Sequence, residues 1–304
     1  MKGKDFLSIL DLSRQDLSDL LELSIQLKKE HKAHLRRTPL EGKTLALLFE
    51  KPSTRTLVSF DVAIYQLGGH SVDLPKSSLG GRESMADIAR TLSRYVEGLI
   101  VRTYKQSTLE EIARYAEVPV INALSDRYHP CKILADYQTM VEHKGMRKIK
   151  IAYLGDGFNV ANSLLGLASL VGYDISIATP KGYEPTQEDV DRAHELAQKS
   201  KSVISVSHNP YEAIQDADII YTDTWTSMGL EEEIAIRIPL FSHFQINKEL
   251  LKQAKPDTLV MHCLPAHRGQ EITDEVMDGP QSIIFNQTEN RLHMQKALLC
   301  KLFS

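Results

Sequence analysis

The sequence predicts an α/β protein built from two doubly wound parallel-sheet domains with an active-site cleft between them. Three observations carry this expectation. Short apolar runs alternate with amphipathic segments of helical period, the pattern of repeated βαβ units. The alternation pauses at "HKGMRKIK" (143–150), a basic, glycine-containing stretch, and then restarts. At 304 residues the chain also exceeds what a single core usually serves.

The elements follow in order. Ser13, with Asp16 three residues on, reads as the N-cap of an amphipathic helix through "DLSRQDLSDLLELSIQLKKEH". "KTLALLFE" is a strand, Thr54 to Leu67 a helix, and "HSVDL" a short strand. A Gly80-Gly81 turn then leads into the helix "RESMADIARTLSRYV". "GLIVRTY" and "VPVINA" are strands separated by the helix "LEEIARYA", and Pro130 opens the helix "PCKILADYQTMVEH". Beyond the boundary come strand "IKIAYLG", helix "NVANSLLGLASLVG", strand "DISIAT", helix "TQEDVDRAHELAQKS" and strand "SVISVSH". "ADIIYTDTW", "TLVMHCLP" and "SIIFNQ" read as further strands, and Thr226 to Phe244 as a long irregular connection. The closing "NRLHMQKALLCKLF" is an amphipathic helix able to dock back on the first domain. The expected domains are 1–143, joined by the helix at about 287–304, and 144–286.

Bulk properties exclude several classes. A formal net charge of -4 argues against a general nucleic-acid binder. Three scattered cysteines, Cys131, Cys263 and Cys300, argue against a disulfide framework or a structural zinc site and for a reducing compartment. The chain lacks an apolar run of membrane-spanning length, and its first residues lack a secretory or transit pattern, so a cytoplasmic location is expected.

Four segments fall where strands end, the place ligands collect in open α/β sheets. In "FEKPSTRTLVSF", Ser53, Thr54, Arg55 and Thr56 open a helix; capping needs one hydroxyl, so three and a guanidinium point to a bound anion. Glycines and a terminal Lys-Ser/Thr pair are missing, so this is not a Walker loop. Arg102 closes "GLIVRTY" and, taken alone, reads equally well as structural; His129 precedes Pro130 and, taken alone, reads more readily as structural than functional. "VMHCLPAHRGQEIT" offers His262, Cys263, His267 and Arg268. A Cys–His nucleophile is one reading, but strand alternation puts His262 and Cys263 on opposite faces, and no carboxylate completes a metal set. "GDGFNVAN" has too few glycines for a dinucleotide fingerprint.

"STRT", "HPC", "DGFN", "DTWTSMG" and "HCLPAHRG", in this order across most of the chain, resemble the ornithine carbamoyltransferases. The first two also resemble the wider aspartate/ornithine carbamoyltransferase group. The resemblance implies that the anion is the phosphate of carbamoyl phosphate, held by Ser53, Thr54, Arg55 and Thr56. Arg102 and His129 would reach the carbamoyl side, with Lys132, Cys263, the Leu264 carbonyl and Arg291 as further contacts. Asn159, Asp223, Ser227 and Met228 would bind the amino-acid end of L-ornithine. Arg55, Arg102, His129 and Cys263 would carry catalysis, with no cofactor and no metal. The domains would thus be carbamoyl-phosphate-binding and ornithine-binding, the Thr226 to Phe244 loop, with "SMG" at its start, a lid, and the assembly a trimer or a multiple of trimers. Three positions depart from the family pattern. Lys132 stands where a glutamine is usual, and a lysine cannot accept a hydrogen bond from the carbamoyl NH2. Leu57 and Asp61 replace an arginine and a glutamate, implying a changed ion pair, and Ser78 replaces a longer side chain expected to reach a neighbouring subunit.

Overall fold

The computed structural model describes residues 1–75, 83–226 and 229–304, with the backbone alone at 231. The expected Gly80-Gly81 turn and Ser78 lie outside the described residues. Two compact units are present, 1–138 with 289–304, and 139–288.

In the first unit, helix α1 (Arg14–Lys32) starts on a capping box, Ser13 accepting from the Asp16 N–H while the Asp16 carboxylate accepts from the Ser13 N–H. It buries Leu17, Leu20, Leu21 and Leu27, the stripe its period predicts. Strands β1 (Thr44–Phe49), β2 (His70–Leu74), β3 (Gly98–Arg102) and β4 (Val120–Leu124) form one parallel sheet in the order β2-β1-β3-β4. Helices α2 (Thr54–Gln66), α3 (Met85–Leu92), α4 (Gln106–Tyr115) and α5 (Pro130–Lys144) make the connections. Successive strand residues face opposite ways. Ala46 and Leu48 join Leu99 and Val101 in a core with Ile88, Leu109 and Ile112. Leu45 and Leu47 are as deeply buried on the other face, which explains why β1 reads as a continuous apolar run.

The second unit holds β5 (Lys150–Leu154), α6 (Asn159–Val171), β6 (Asp174–Ala178), α7 (Gln187–Ser200), β7 (Ile204–Ser207) and α8 (Pro210–Ala213). It continues with β8 (Ile219–Thr222), α9 (Ile234–Phe241), α10 (Lys248–Leu251), β9 (Leu259–His262) and α11 (Asp274–Met277). Its five strands are parallel in the order β7-β6-β5-β8-β9. The last helix, α12 (Ile284–Phe303), ends in the first unit, where the Phe303 ring lies against Gly98 so closely that a Cβ there would sit 2.4 Å from it. Among the described residues no helix is long and apolar enough to cross a membrane.

Three expectations are corrected. "SIIFNQ" is not a strand: Val260 donates to the Gln281 carbonyl and receives the Ile283 N–H, a single bridge, and α12 then begins. A short apolar run does not by itself separate strand from helix. The 226–244 segment is not irregular throughout, because 3-10 turns at Glu231–Glu233 and Ser242–Phe244 flank α9. An apolar stretch with Pro239 inside it carries no helical signal. The helix expected to reach Val96 stops at Leu92, where Ser93 donates its hydroxyl to the Ala89 carbonyl and accepts the Glu117 N–H.

Candidate active site

Strand order decides where ligands bind. In an open α/β sheet the crevice lies at the carboxyl ends of the two strands between which the winding reverses. For the first unit these are β1 and β3, and for the second β5 and β8. Ser53 to Thr56, Asn159 and Asp223 follow these strands and Arg102 ends one of them, whereas His129 follows β4 and Cys263 follows β9, the strands next to β3 and β8.

In the first unit, Phe49 and Arg102 are register partners at the ends of β1 and β3. Glu50 ties the ends together: its N–H donates to the Arg102 carbonyl, and its carboxylate accepts from the Thr103 hydroxyl and the Tyr104 N–H. Immediately after β1, Ser53 occupies the N-cap position of α2 yet makes no capping hydrogen bond. The reading of Ser53 as a simple cap therefore fails. The first N–H groups of α2 and their dipole make a local field that favours an anion. Thr56 is buried and accepts a hydrogen bond from Arg291 Nη2 at 2.5 Å, which brings α12 to this end of the sheet.

The charged groups that act on Arg102 and His129 are mostly cations. Burial lowers the Arg102 pKa to about 10, with Arg291 and Arg55 adding to the effect. His129 is almost wholly buried just before α5; burial, then Lys132, Arg291 and Arg102, hold its pKa well below 6.5. Its imidazole is thus neutral at neutral pH, and it offers one N–H as donor and one nitrogen as acceptor. Arg55 and Arg291 act on Arg102, and Lys132, Arg291 and Arg102 act on the neutral His129, so a dianion there would relieve the repulsion among the cations. Asp61, exposed on α2, accepts from the Ser71 hydroxyl, so a hydrogen bond stands where an ion pair was expected.

In the second unit, Asn159 is buried at the first position of α6, and Asp223 is buried just beyond β8. The Thr222 hydroxyl bridges the two strand ends by donating to the Leu154 carbonyl at 2.6 Å. Ser227 and Met228 lie outside the described residues. Beyond β9, the neighbour of β8, the atoms of Asp223, His262 and Cys263 that could ligate a metal all lie within 4.8 Å of one another. This corrects two expectations: a carboxylate does stand beside His262 and Cys263, and strand alternation does not separate the pair, because β9 ends at His262. His262 is nonetheless committed elsewhere. Its Nδ1 accepts the Leu264 N–H at 2.9 Å, and its Nε2 donates to Glu271 Oε1 at 2.9 Å. Those bonds fix the neutral Nε2–H tautomer and leave neither nitrogen for a thiol proton or a metal.

Glu271 is the residue the sequence reading missed here. It is fully buried, nine positions from His262, and its Oε1 also accepts the His267 N–H at 2.6 Å. Together His262 and Glu271 hold the "CLPAH" turn, in which Leu264 takes φ +53° and precedes a cis proline. A bulky side chain at positive φ is strained and persists only where its surroundings enforce it. His267 is exposed, and Arg268 pairs at the surface with Asp274 and Asp278, so neither joins the site.

The matches to known proteins agree with this layout. Residues 4–142 match the family model for the aspartate/ornithine carbamoyltransferase carbamoyl-P binding domain, and 147–302 that for the Asp/Orn binding domain. The chain is 50% identical over 305 residues to an ornithine carbamoyltransferase of Anoxybacillus flavithermus, covering 99% of this chain and 97% of that one. It is 48% identical over 302 residues to the anabolic ornithine carbamoyltransferase of Pyrococcus furiosus, covering 98% and 96%. A solved structure of the ornithine carbamoyltransferase from Pyrococcus furiosus superposes with a TM-score of 0.96 at 47% identity, covering 99% of this chain and 97% of that chain. With both family models matched and near-full-length relatives at about half identity, the chain belongs to the aspartate/ornithine carbamoyltransferase family.

Proposed function

We propose that this protein transfers the carbamoyl group of carbamoyl phosphate to the δ-amine of L-ornithine, giving L-citrulline and phosphate. The observation that carries the reading is near-full-length similarity to proteins named ornithine carbamoyltransferase. The cations gathered at one switch point, and Asp223 beside Cys263 at the other, suit the two substrates.

The roles follow from charge and hydrogen-bonding capacity. Ser53, Thr54, Arg55 and Thr56 bind the phosphate, with Arg291 oriented by Thr56. The deprotonated δ-amine attacks the carbamoyl carbon, its lone pair forming the new C–N bond as the carbonyl oxygen takes negative charge. Arg102 and the neutral His129 stabilise that oxyanion as hydrogen-bond donors. The tetrahedral intermediate collapses, the C–O bond to phosphate breaks with its electron pair, the attacking nitrogen gives its extra proton to the departing phosphate oxygen, and the cationic environment stabilises the leaving group. Asp223 binds the ornithine α-ammonium and Asn159 the adjoining polar atoms, while Cys263 and the Leu264 carbonyl orient the δ-amine. Lys132 contacts the phosphate as a point charge. In this reading the 1–143 domain binds carbamoyl phosphate and the 144–286 domain binds ornithine.

A trimeric or multiply trimeric assembly and a cytoplasmic location complete the proposal. The family supports the first, and three cysteines outside any disulfide support the second. The anabolic relative supports a net direction toward citrulline in arginine metabolism. The test is ureido-product formation from carbamoyl phosphate with ornithine, N-acetylornithine, putrescine, lysine and aspartate as acceptors. Citrulline formation with ornithine alone is expected; turnover of a different acceptor would reassign the substrate.

A further inference from the structure

In "IAIRIPLF" a single charged residue sits among apolar ones, and α9 turns that pattern inside out. Ile234, Ile236 and Leu240 are 44%, 60% and 46% exposed, whereas Arg237 is only 5% exposed. A buried guanidinium is tolerated only when it is paired and hydrogen-bonded. Arg237 Nη1 donates to Asp156 Oδ2 at 2.7 Å and to the Trp225 carbonyl at 2.9 Å, and Nε donates to Glu233 Oε2 at 2.8 Å. Its planar group also stacks 4.7 Å from the Tyr183 ring centroid.

The identity of these partners matters more than their number. Asp156 lies in the turn after β5, three residues before Asn159, and Trp225 lies two residues after Asp223 beyond β8. One rigid cation therefore bridges the two chain segments that leave the switch point of the second unit. The Asp156 side is held from behind as well. The Gly157 N–H donates to the Tyr183 carbonyl at 2.8 Å, and a Cβ on Gly157 would meet the Pro185 nitrogen at 2.2 Å. Burial pushes the Asp156 carboxyl up to about 6, with Arg237 the main opposing influence; Arg237, serving two carboxylates, stays above its ordinary value despite its own burial.

We propose that Arg237 is a positioning residue for acceptor specificity: it fixes the spacing of Asn159 and Asp223, and so the geometry in which the α-amino and α-carboxylate groups of the acceptor are read. This rests on the assignment of those two residues to ornithine. A stability role alone would not require an arginine, because buried ion pairs are often replaceable by well-packed apolar side chains. A fork that reaches a carboxylate, a carbonyl and a second carboxylate at once is specific to arginine. Lysine, a point charge on a flexible stem, cannot reproduce it.

The experiment compares full-length wild type with Arg237→Met, Arg237→Lys and Glu233→Gln, with folding checked by near-UV circular dichroism and thermal melting. KM and kcat are measured for both substrates, and ornithine is compared with putrescine, which lacks the α-carboxylate. Arg237→Met is expected to raise the ornithine KM by roughly 10- to 100-fold, the scale of a small misplacement of binding groups. The carbamoyl phosphate KM stays unchanged and the preference for ornithine over putrescine narrows. Arg237→Lys falls in between, and Glu233→Gln gives a smaller rise in the same direction. A folded Arg237→Met with a wild-type ornithine KM, or with both KM values raised equally, overturns the proposal. Should Arg237→Met not fold, an unchanged ornithine KM in both remaining variants overturns it instead. Absence of citrulline formation by the wild type removes the functional reading itself, and the proposal with it, a result distinct from an active wild type whose variants behave normally.

Discussion

Replacing Glu271 by alanine should loosen the turn that carries Cys263 and Leu264, and the size of the effect follows from its bonds. Glu271 Oε1 accepts from His262 Nε2 at 2.9 Å and from the His267 N–H at 2.6 Å. His262 is fully buried, so its N–H would be stranded, a cost of ~1–3 kcal/mol. His267 is exposed and its N–H can turn to water, so that loss is ~1 kcal/mol. Removing a buried carboxylate returns part of this by ending its desolvation. The net destabilisation expected is ~2–3 kcal/mol, which for 304 residues at the usual unfolding entropy per residue corresponds to a melting shift of roughly 3–5 °C. Once His262 is no longer oriented, Leu264 loses the acceptor that helps hold it at φ +53° and can relax, since that backbone conformation costs ~1–2 kcal/mol. Citrulline formation should then fall ~100-fold, the usual penalty for a shift of about 1 Å in positioned groups. Thermal melting and steady-state kinetics measure the two effects, with Glu271→Gln, which keeps an acceptor oxygen, giving the smaller change in both. A Glu271→Ala protein melting within 1 °C of wild type at full kcat would refute this account of the turn.

Three further outcomes are expected. Thr56→Val keeps the side-chain shape but removes the acceptor of Arg291, so the carbamoyl phosphate KM should rise about tenfold, from ~1–2 kcal/mol, with the ornithine KM unmoved; equal rises in both would contradict the assignment of this pair. Lys132→Gln removes one cation from a group that already repels itself, so the carbamoyl phosphate KM should rise about tenfold and become less sensitive to salt; a KM that fell would show the lysine to be no phosphate contact. For His129 the native pKa lies well below 6.5, so above that pH it is neutral in both states and contributes nothing to pH dependence. As the pH falls through 6.5 the unfolded chain takes up a proton that the native state refuses, and stability drops. Urea midpoints between pH 8 and pH 5 should accordingly fall less steeply in His129→Gln than in wild type; parallel curves would show that the imidazole takes up its proton as readily in the native state as in the unfolded chain.

Much of the architecture was legible because it is written locally. A strand such as Thr44–Phe49 and a helix such as Arg14–Lys32 announce themselves by apolar period, and Ser13 with Asp16 marks a cap within four residues. The surplus of donors at Ser53 to Thr56 was legible for the same reason: hydroxyls and a guanidinium beside a strand end need no distant partner to be noticed. The short helix Ile234–Phe241 and the end of "SIIFNQ" were not, since neither apolar run has a period that separates helix from strand.

What the sequence by itself determined is therefore most of the strands and the longer helices, their parallel pairing into α/β units, and the chemical character of the strand ends. What only the tertiary structure decided is which ends meet. The orders β2-β1-β3-β4 and β7-β6-β5-β8-β9 bring the turn after Leu154 beside the one after Thr222, and Arg102 beside the segment that follows Phe49. Likewise Glu271 finds His262 and Arg237 finds Asp156, 81 positions away, through folding alone. The physical reason is that periodicity fixes which face of an element is buried, whereas the partner of a buried charge is chosen by desolvation. A guanidinium or carboxylate removed from water must be met by whatever donor or acceptor the packed chain brings within 3 Å, and sequence spacing has no part in that choice.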